Sequence, residues 1–186
     1  MAVLLLIAAT EREMCDLTEV EMVCCGIGPV EATLSTATAL VAHEARAVLH
    51  VGIAGAAGLE PGSVVIGSES VYCDVIAAGT TLPRIAHVKP SRAMFDAACA
   101  VLPDAVAMPI ATSARVGGGS GHRVEAMEGF GVLRAAERAG VPALEVRVIS
   151  NDPVETDRSL WRIDDALAVL HATVRTLVPA LSRLPL

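Results

Sequence analysis

A chain of 186 residues, 53% hydrophobic and 19% charged, is long enough for one sizeable core, and no composition break or Pro/Ser-rich linker divides it, so residues 1–186 are expected to form a single domain. No uninterrupted apolar run is long enough to cross a bilayer, and the apolar surplus points to surface buried against a second copy, a homodimer or higher homo-oligomer. A net charge of −7, the lack of a basic block and an aromatic content of 2% exclude a nucleic-acid groove, which needs phosphate neutralisation and stacking platforms, and leave a small molecule as the expected ligand.

The opening "MAVLLLIAAT" has no basic residue before its apolar run and meets acidic residues directly after it. It fails the pattern of a secretion signal and reads as a first buried strand, Val3 to Ala8, with a cytoplasmic location as the expectation. Further short apolar runs predict strands buried on both faces at Val20 to Cys25, Ala47 to Val51, Val64 to Val71, Val106 to Ala111 and Leu144 to Ile149. Helices are predicted at Val30 to His43, after Pro29, at Ser91 to Val101, at Ala126 to Ala139, before Gly140 and Pro142, and from Asp164 to about Leu181. This alternation predicts an α/β sandwich with a largely parallel sheet, helices on both faces, and a site at the strand ends.

Four strand ends carry polar groups. In "IAATEREM", Glu11 and Glu13 follow a buried strand, and two readings stand: a half-buried carboxylate as general base on water, or a helix cap or solvated pair. In "HVGIAGAAG", His50 to Gly58, small residues let backbone N–H groups approach a ligand, but the spacing is not a dinucleotide fingerprint. In "VEAMEGFG", Glu125 and Glu128 are placed in the first turn of a helix, where they suit its dipole, and Glu128 could instead accept two hydrogen bonds from a vicinal diol. In "VRVISND", Arg147 points inward from an apolar strand and needs a carboxylate partner, expected among those glutamates. The patch "VGGGSGH", Val116 to His122, reads equally as a linker or as a mobile loop or close-approach surface for a ligand. Five cysteines and five histidines show no metal-ligand spacing; the thiols are expected to be reduced and mostly buried, and neither metal nor cofactor is assigned.

Taken together, "ATEREM", "GIGPVEA", "VGIAGAAG", "VEAMEGFG" and "EVRVISN" resemble the nucleoside phosphorylase and nucleosidase superfamily, in order and across nearly the whole chain. Within it the chain looks most like the futalosine hydrolases, with the methylthioadenosine/S-adenosylhomocysteine nucleosidases as nearer relatives. The resemblance implies a three-layer α/β/α sandwich around a twisted mixed sheet, and cleavage of the N-glycosidic bond of futalosine to release hypoxanthine in the menaquinone pathway. It implies Glu13 as the residue that deprotonates the attacking water, Arg147 as the holder of the water and carboxylate network, Glu128 as the ligand of the ribose hydroxyls and Met127 as its apolar neighbour. Ala54 and Gly55 fall in the turn beside the sugar, and Ser150 and Asn151 at the purine end. Thr112 and Ser113 are purine-side candidates by position.

Opposite a 6-oxopurine, an amide at Asn151 supplies an N–H to O6 and keeps its oxygen for N7–H, whereas a carboxylate there suits the N6 donor of adenine. "TERE" stands where the phosphorylases carry a Gly-rich, Arg-bearing phosphate loop, which favours hydrolysis. The segments from Glu13 to Gly26 and from Tyr72 to Val106 are shorter than the family's usual ones, so no base-stacking aromatic is assigned. Alternative readings are a methylthioadenosine/S-adenosylhomocysteine nucleosidase, a purine nucleoside phosphorylase and a non-catalytic nucleoside-binding protein.

Overall fold

The computed structural model describes residues 3–75, 84–117 and 120–185. Gly118 and Gly119 of the glycine patch, and residues 76–83 of the shortened segment, lie outside them. The strands are β1 (Leu4–Ala8), β2 (Glu21–Cys24), β3 (Ala47–Ala56), β4 (Val64–Tyr72), β5 (His87–Val88), β6 (Val106–Thr112), β7 (Val124–Ala126) and β8 (Ala143–Asn151). The helices are α1 (Pro29–Ala42), α2 (Arg92–Val101), α3 (Gly129–Ala139) and α4 (Ile163–Ser182), with short 3-10 turns at Glu11–Glu13 and Arg158–Leu160. No described helix is long and apolar enough to cross a membrane.

The fold is a three-layer α/β/α sandwich around a mixed sheet. Alternate residues of the central strands face opposite layers. Leu4, Leu6, Leu49 and Val51 pack with Met94 of α2 and Leu170, Val174 and Leu177 of α4, while Leu5, Ile7 and Val48 pack with Ala32 and Leu40 of α1 and Val132 and Leu133 of α3. β1 pairs in parallel with β2 and β3, and β8 lies parallel to β3 and antiparallel to β4. β4 continues in parallel to β6, β6 to β7, and β7 returns antiparallel to Gly55 and Ala56 at the tip of β3. That last pairing closes β3, β8, β4, β6 and β7 into a ring around Ala54, Val65, Ile110, Val124 and Ile149. Closure brings the tips of β3, β7 and β8 together.

Several expectations change. β1, β3 and β8 are buried along most or all of their length, but β2 is an edge strand with Glu21 and Cys24 exposed, and β6 begins exposed at Val106 and Ala107. β7 takes the residues expected to open the third helix, because the backbone of Glu125 pairs with Gly55 and Ala111. That helix therefore starts at Gly129 and ends, as expected, at Gly140, whose φ of 71° is the left-handed conformation of a C-cap. Only Cys15 and Cys25 of the five free thiols are buried.

Candidate active site

The described residues enclose a cavity of about 330 Å³ at the converged strand tips. Its wall includes Glu13, Ala54, Gly55, Met127, Glu128, Ser150 and Asn151, so most of the residues singled out in the sequence come together although they lie in four separate segments. Arg147 is fully buried behind this wall. Thr112 and Ser113 lie outside the lining.

Glu13 ends the 3-10 turn that follows β1 and is buried. The Thr10 N–H and hydroxyl both donate to its Oε2 at 2.9 Å, and the Ile53 N–H donates to Oε1 at 3.0 Å. Capping and burial therefore coincide in one side chain: the local cap orients the carboxylate, and the N–H from β3 ties it to the cavity wall. Glu11 is exposed.

Glu128 occupies the N-cap of α3 but does not cap it. Thr112 Oγ1 accepts the Phe130 N–H at 2.8 Å instead, which leaves the Glu128 carboxylate free to turn away from the helix. Its Oε1 accepts the Gly28 N–H at 3.2 Å, and its Oε2 accepts from Arg147 Nη2 at 3.2 Å. Two glycines of the "EGFG" stretch make this packing possible. A Cβ on Gly131 would lie 2.6 Å from the Pro29 carbonyl, so its absence lets α1 approach α3, and a Cβ on Gly129 would overlap the Glu145 carboxylate. Glu125, expected in the helix, sits on β7, and its Oε1 accepts from the Ser120 hydroxyl at 2.7 Å and from the Ser120 N–H.

Arg147 meets Glu128 as expected, but its shorter carboxylate contact is to Glu145: Nε donates to Glu145 Oε1 at 2.9 Å. Nη2 also donates to His50 Nε2 at 2.6 Å, and Nη1 to the Ile53 carbonyl at 3.4 Å. Burial by itself would lower the Arg147 pKa, but Glu145, Glu128 and Glu13 outweigh it and hold the guanidinium above its ordinary value. Burial raises the Glu145 pKa against the opposing pull of Arg147, and burial followed by repulsion from Arg147 holds His50 well below its ordinary 6.5. Burial, then Glu128, pushes the Cys25 thiol up to about 12.

At the far wall, β8 carries a bulge opposite Ala54 and Gly55: Ala54 faces Ile149 and Gly55 faces Asn151, so Ser150 is the extra residue. Ser150 Oγ lies 2.7 Å from Asn151 Oδ1 and 3.3 Å from the Ala54 carbonyl, and Asn151 Nδ2 donates to the Asp152 carbonyl at 2.9 Å. With Ser150 donating to Oδ1, the amide keeps one N–H and one acceptor position. Asp152 closes a local turn by accepting the Val154 N–H at 3.0 Å. Ser113 Oγ accepts the Arg115 N–H at 3.1 Å, so both it and Thr112 are engaged with backbone beside the cavity.

The chain matches the model of the phosphorylase superfamily over residues 8–179. It belongs to the phosphorylase superfamily. Within that superfamily it is a homologue of futalosine hydrolase, being 34% identical to that enzyme of Streptomyces coelicolor over 87% of this chain and 79% of the relative. A solved futalosine hydrolase mutant of Helicobacter pylori shares the fold with a TM-score of 0.84 at 18% identity, covering 96% of this chain and 99% of that one. An S-adenosylhomocysteine nucleosidase of Streptococcus pyogenes, in complex with 5-methylthiotubericidin, superposes with a TM-score of 0.82 at 21% identity over 100% of this chain and 98% of that one.

Among the residues of this superfamily member's site that sequence reasoning passed over, four carry polar contacts. Thr10 completes the Glu13 cap, and Trp161 lines the cavity with Arg158 over its ring at 5.5 Å. His50 and Glu145 buttress Arg147 from behind. Both interrupt apolar strand runs, "AVLHV" and "ALEVRVI", which is the signal that pointed to Arg147.

Proposed function

We propose that this chain is a single-domain N-ribosyl hydrolase that cleaves the glycosidic bond of futalosine and releases hypoxanthine, a step of menaquinone biosynthesis. The observation that carries the reading is the convergence of Glu13, Glu128 and the Asn151 amide on one cavity in a homologue of futalosine hydrolase.

A carboxylate offers about four acceptor positions. Glu13 uses three on Thr10 and Ile53, which leaves one for a water at the cavity wall. Glu128 uses two, on Gly28 and Arg147, and keeps the others for a vicinal diol, with Met127 as apolar packing beside the ribose. As the bond from C1′ to the purine stretches, the bonding pair leaves with the base and positive charge grows on the ribose, where the two carboxylates stabilise it. Water adds to C1′ as Glu13 takes its proton. Charge arriving on the purine is met by the free N–H of Asn151 at O6, while its oxygen receives N7–H once solvent has protonated N7. Ala54, Gly55 and Ser150 shape the wall between sugar and base; a Cβ on Gly55 would stand 3.2 Å from Asn151 Nδ2.

Two further parts of the proposal are a cytoplasmic location and assembly as a homodimer or higher homo-oligomer. Val30, Leu34 and Val41 stand exposed on one face of α1, beside the exposed Ile27 of the cavity wall, and that apolar stripe suits a second copy of the chain.

Incubating the purified protein with futalosine and, separately, with methylthioadenosine, and separating the products by chromatography, tests the reading. Hypoxanthine from futalosine is expected, at a rate independent of phosphate. Adenine release without hypoxanthine would favour the methylthioadenosine/S-adenosylhomocysteine nucleosidase instead, and phosphate-dependent formation of ribose 1-phosphate would favour a phosphorylase.

A further inference from the structure

His50 and Glu145 are fully buried, do not line the cavity and take no part in the chemistry above, yet both bond Arg147. A guanidinium carries five N–H donors in a rigid fork. Glu145 takes the Nε–H, His50 and Glu128 share the pair on Nη2, and the Ile53 carbonyl faces Nη1. The contacts to His50 and Glu145, at 2.6 and 2.9 Å, are shorter than the 3.2 Å contact to Glu128. The position of the fork is therefore set from behind, and Glu128 is aligned by it.

Each buttress is itself held. The Ile7 carbonyl lies 3.0 Å from His50 Nδ1 and can only accept, so Nδ1 carries the hydrogen and Nε2 presents a lone pair to Arg147. A protonated ring would set N–H against N–H. Arg147 is the charged group in contact with the ring, and Glu128 and Glu145 bond Arg147 from its other sides. Glu145 is wedged against Gly129, where any Cβ would overlap both carboxylate oxygens, and the buried Ser70 hydroxyl bears on the same carboxylate. A buried ion pair such as Glu145 with Arg147 adds little net stability, which argues for a use of this residue other than stability.

We propose that His50 and Glu145 are positioning residues that clamp Arg147 between them, so that its remaining Nη2 hydrogen holds the Glu128 carboxylate toward the ribose. This rests on the nucleosidase reading of the same site.

Two experiments on the full chain test the clamp. In 15N imidazole NMR of the wild-type protein, His50 is expected to stay neutral with hydrogen on Nδ1 from pH 8 to pH 5; hydrogen on Nε2, or titration in that range, overturns the clamp whatever the activity. In steady-state kinetics with futalosine, His50→Leu is expected to lower kcat about 100-fold with KM within about threefold, because a misaligned carboxylate fails at the transition state. His50→Gln, whose amide oxygen can accept from Nη2, should recover about tenfold of that loss, and Glu145→Gln should likewise exceed Glu145→Leu. No loss in the leucine variants, or the same loss in both members of each pair, overturns the proposal. A wild-type protein that releases no hypoxanthine sinks the functional reading alone, and the NMR result then decides the clamp.

Discussion

Replacing Gly52 with alanine tests whether catalysis depends on how closely Arg147 and Glu13 approach the backbone of β3. A Cβ at this position would stand 2.7 Å from Glu13 Oε1 and 3.4 Å from Arg147 Cζ, and would overlap Arg147 Nη1. Ordinary van der Waals contact begins at about 3.4 Å, so Glu13 would have to yield about 0.7 Å and Arg147 more. Neither side chain is a loose end: three hydrogen bonds hold Glu13, and four partners hold Arg147. Overpacking of this kind costs about 1–3 kcal/mol, or a Tm lower by about 2–12 °C for a chain of this size. In the proposed mechanism Glu13 activates the water, and a displacement near 1 Å of such a group costs about 100-fold in kcat. Steady-state hypoxanthine release and thermal denaturation read the two effects separately. Gly140→Ala serves as the control, because its Cβ meets nothing within 4 Å while its φ of 71° strains any side chain. That variant should lose about 1 kcal/mol of stability and keep its activity. A Gly52→Ala enzyme with kcat within about threefold of wild type would refute the reasoning.

Other outcomes follow from the same geometry. Glu13→Gln keeps an acceptor for the Ile53 N–H but cannot take a proton, so kcat should fall by about 1,000-fold while futalosine still binds in calorimetry; loss of binding with it would move Glu13 from chemistry to substrate contact. Asn151→Asp should shift the ratio of adenine to hypoxanthine release in competition by about tenfold or more toward adenine nucleosides, and an unchanged ratio would remove Asn151 from base selection. His50, held neutral in the fold, makes stability depend on pH: below its ordinary 6.5 the unfolded chain binds a proton that the native state refuses, so stability falls as pH drops. The slope from this one residue approaches about 1.4 kcal/mol per pH unit, and the difference between wild type and His50→Gln in urea denaturation at pH 6.5 and 5.5 should show it.

The layers of the fold were legible because β1, β3 and β8 are mainly apolar and buried along most or all of their length, with helices of adequate length between them. β5 and β7 were not, since strands of two and three residues carry no periodicity to read. The loss of β7 mattered more, for it displaced Glu125 from strand to helix and hid the ring closure that gathers the site. Glu13, Glu128 and Asn151 were marked by polar side chains at strand ends and by family resemblance. The buttress was hidden for a different reason. His50 and Glu145 matter through Arg147 alone, and which buried polar side chain faces which is fixed by the registers of β3 with β1 and β8. Thr112 shows the converse: a polar residue at a strand end whose hydroxyl serves the backbone of α3, and so releases Glu128 from capping.

Where the donors at the strand tips are spent bears on which nucleophile the site can use. The N–H groups of Thr10 and Ile53 and the Thr10 hydroxyl are the groups that an incoming phosphate would need at this end of the cavity, and all three are turned to Glu13. Arg147, another anion-binding group nearby, is bonded to Glu145, His50 and Glu128 and withdrawn behind the wall. Arg12, which does line the cavity, is paired with Asp164 at 2.6 Å. Arg115 also lines the cavity, but at the sugar end an incoming phosphate dianion would meet the Glu13 and Glu128 carboxylates, whereas on the proposed reading a neutral water meets the one acceptor position that Glu13 keeps open. On the proposed reading the same carboxylates that disfavour phosphate favour the positive charge developing on the ribose, so one arrangement of charge would both select water and stabilise the transition state of its attack on C1′.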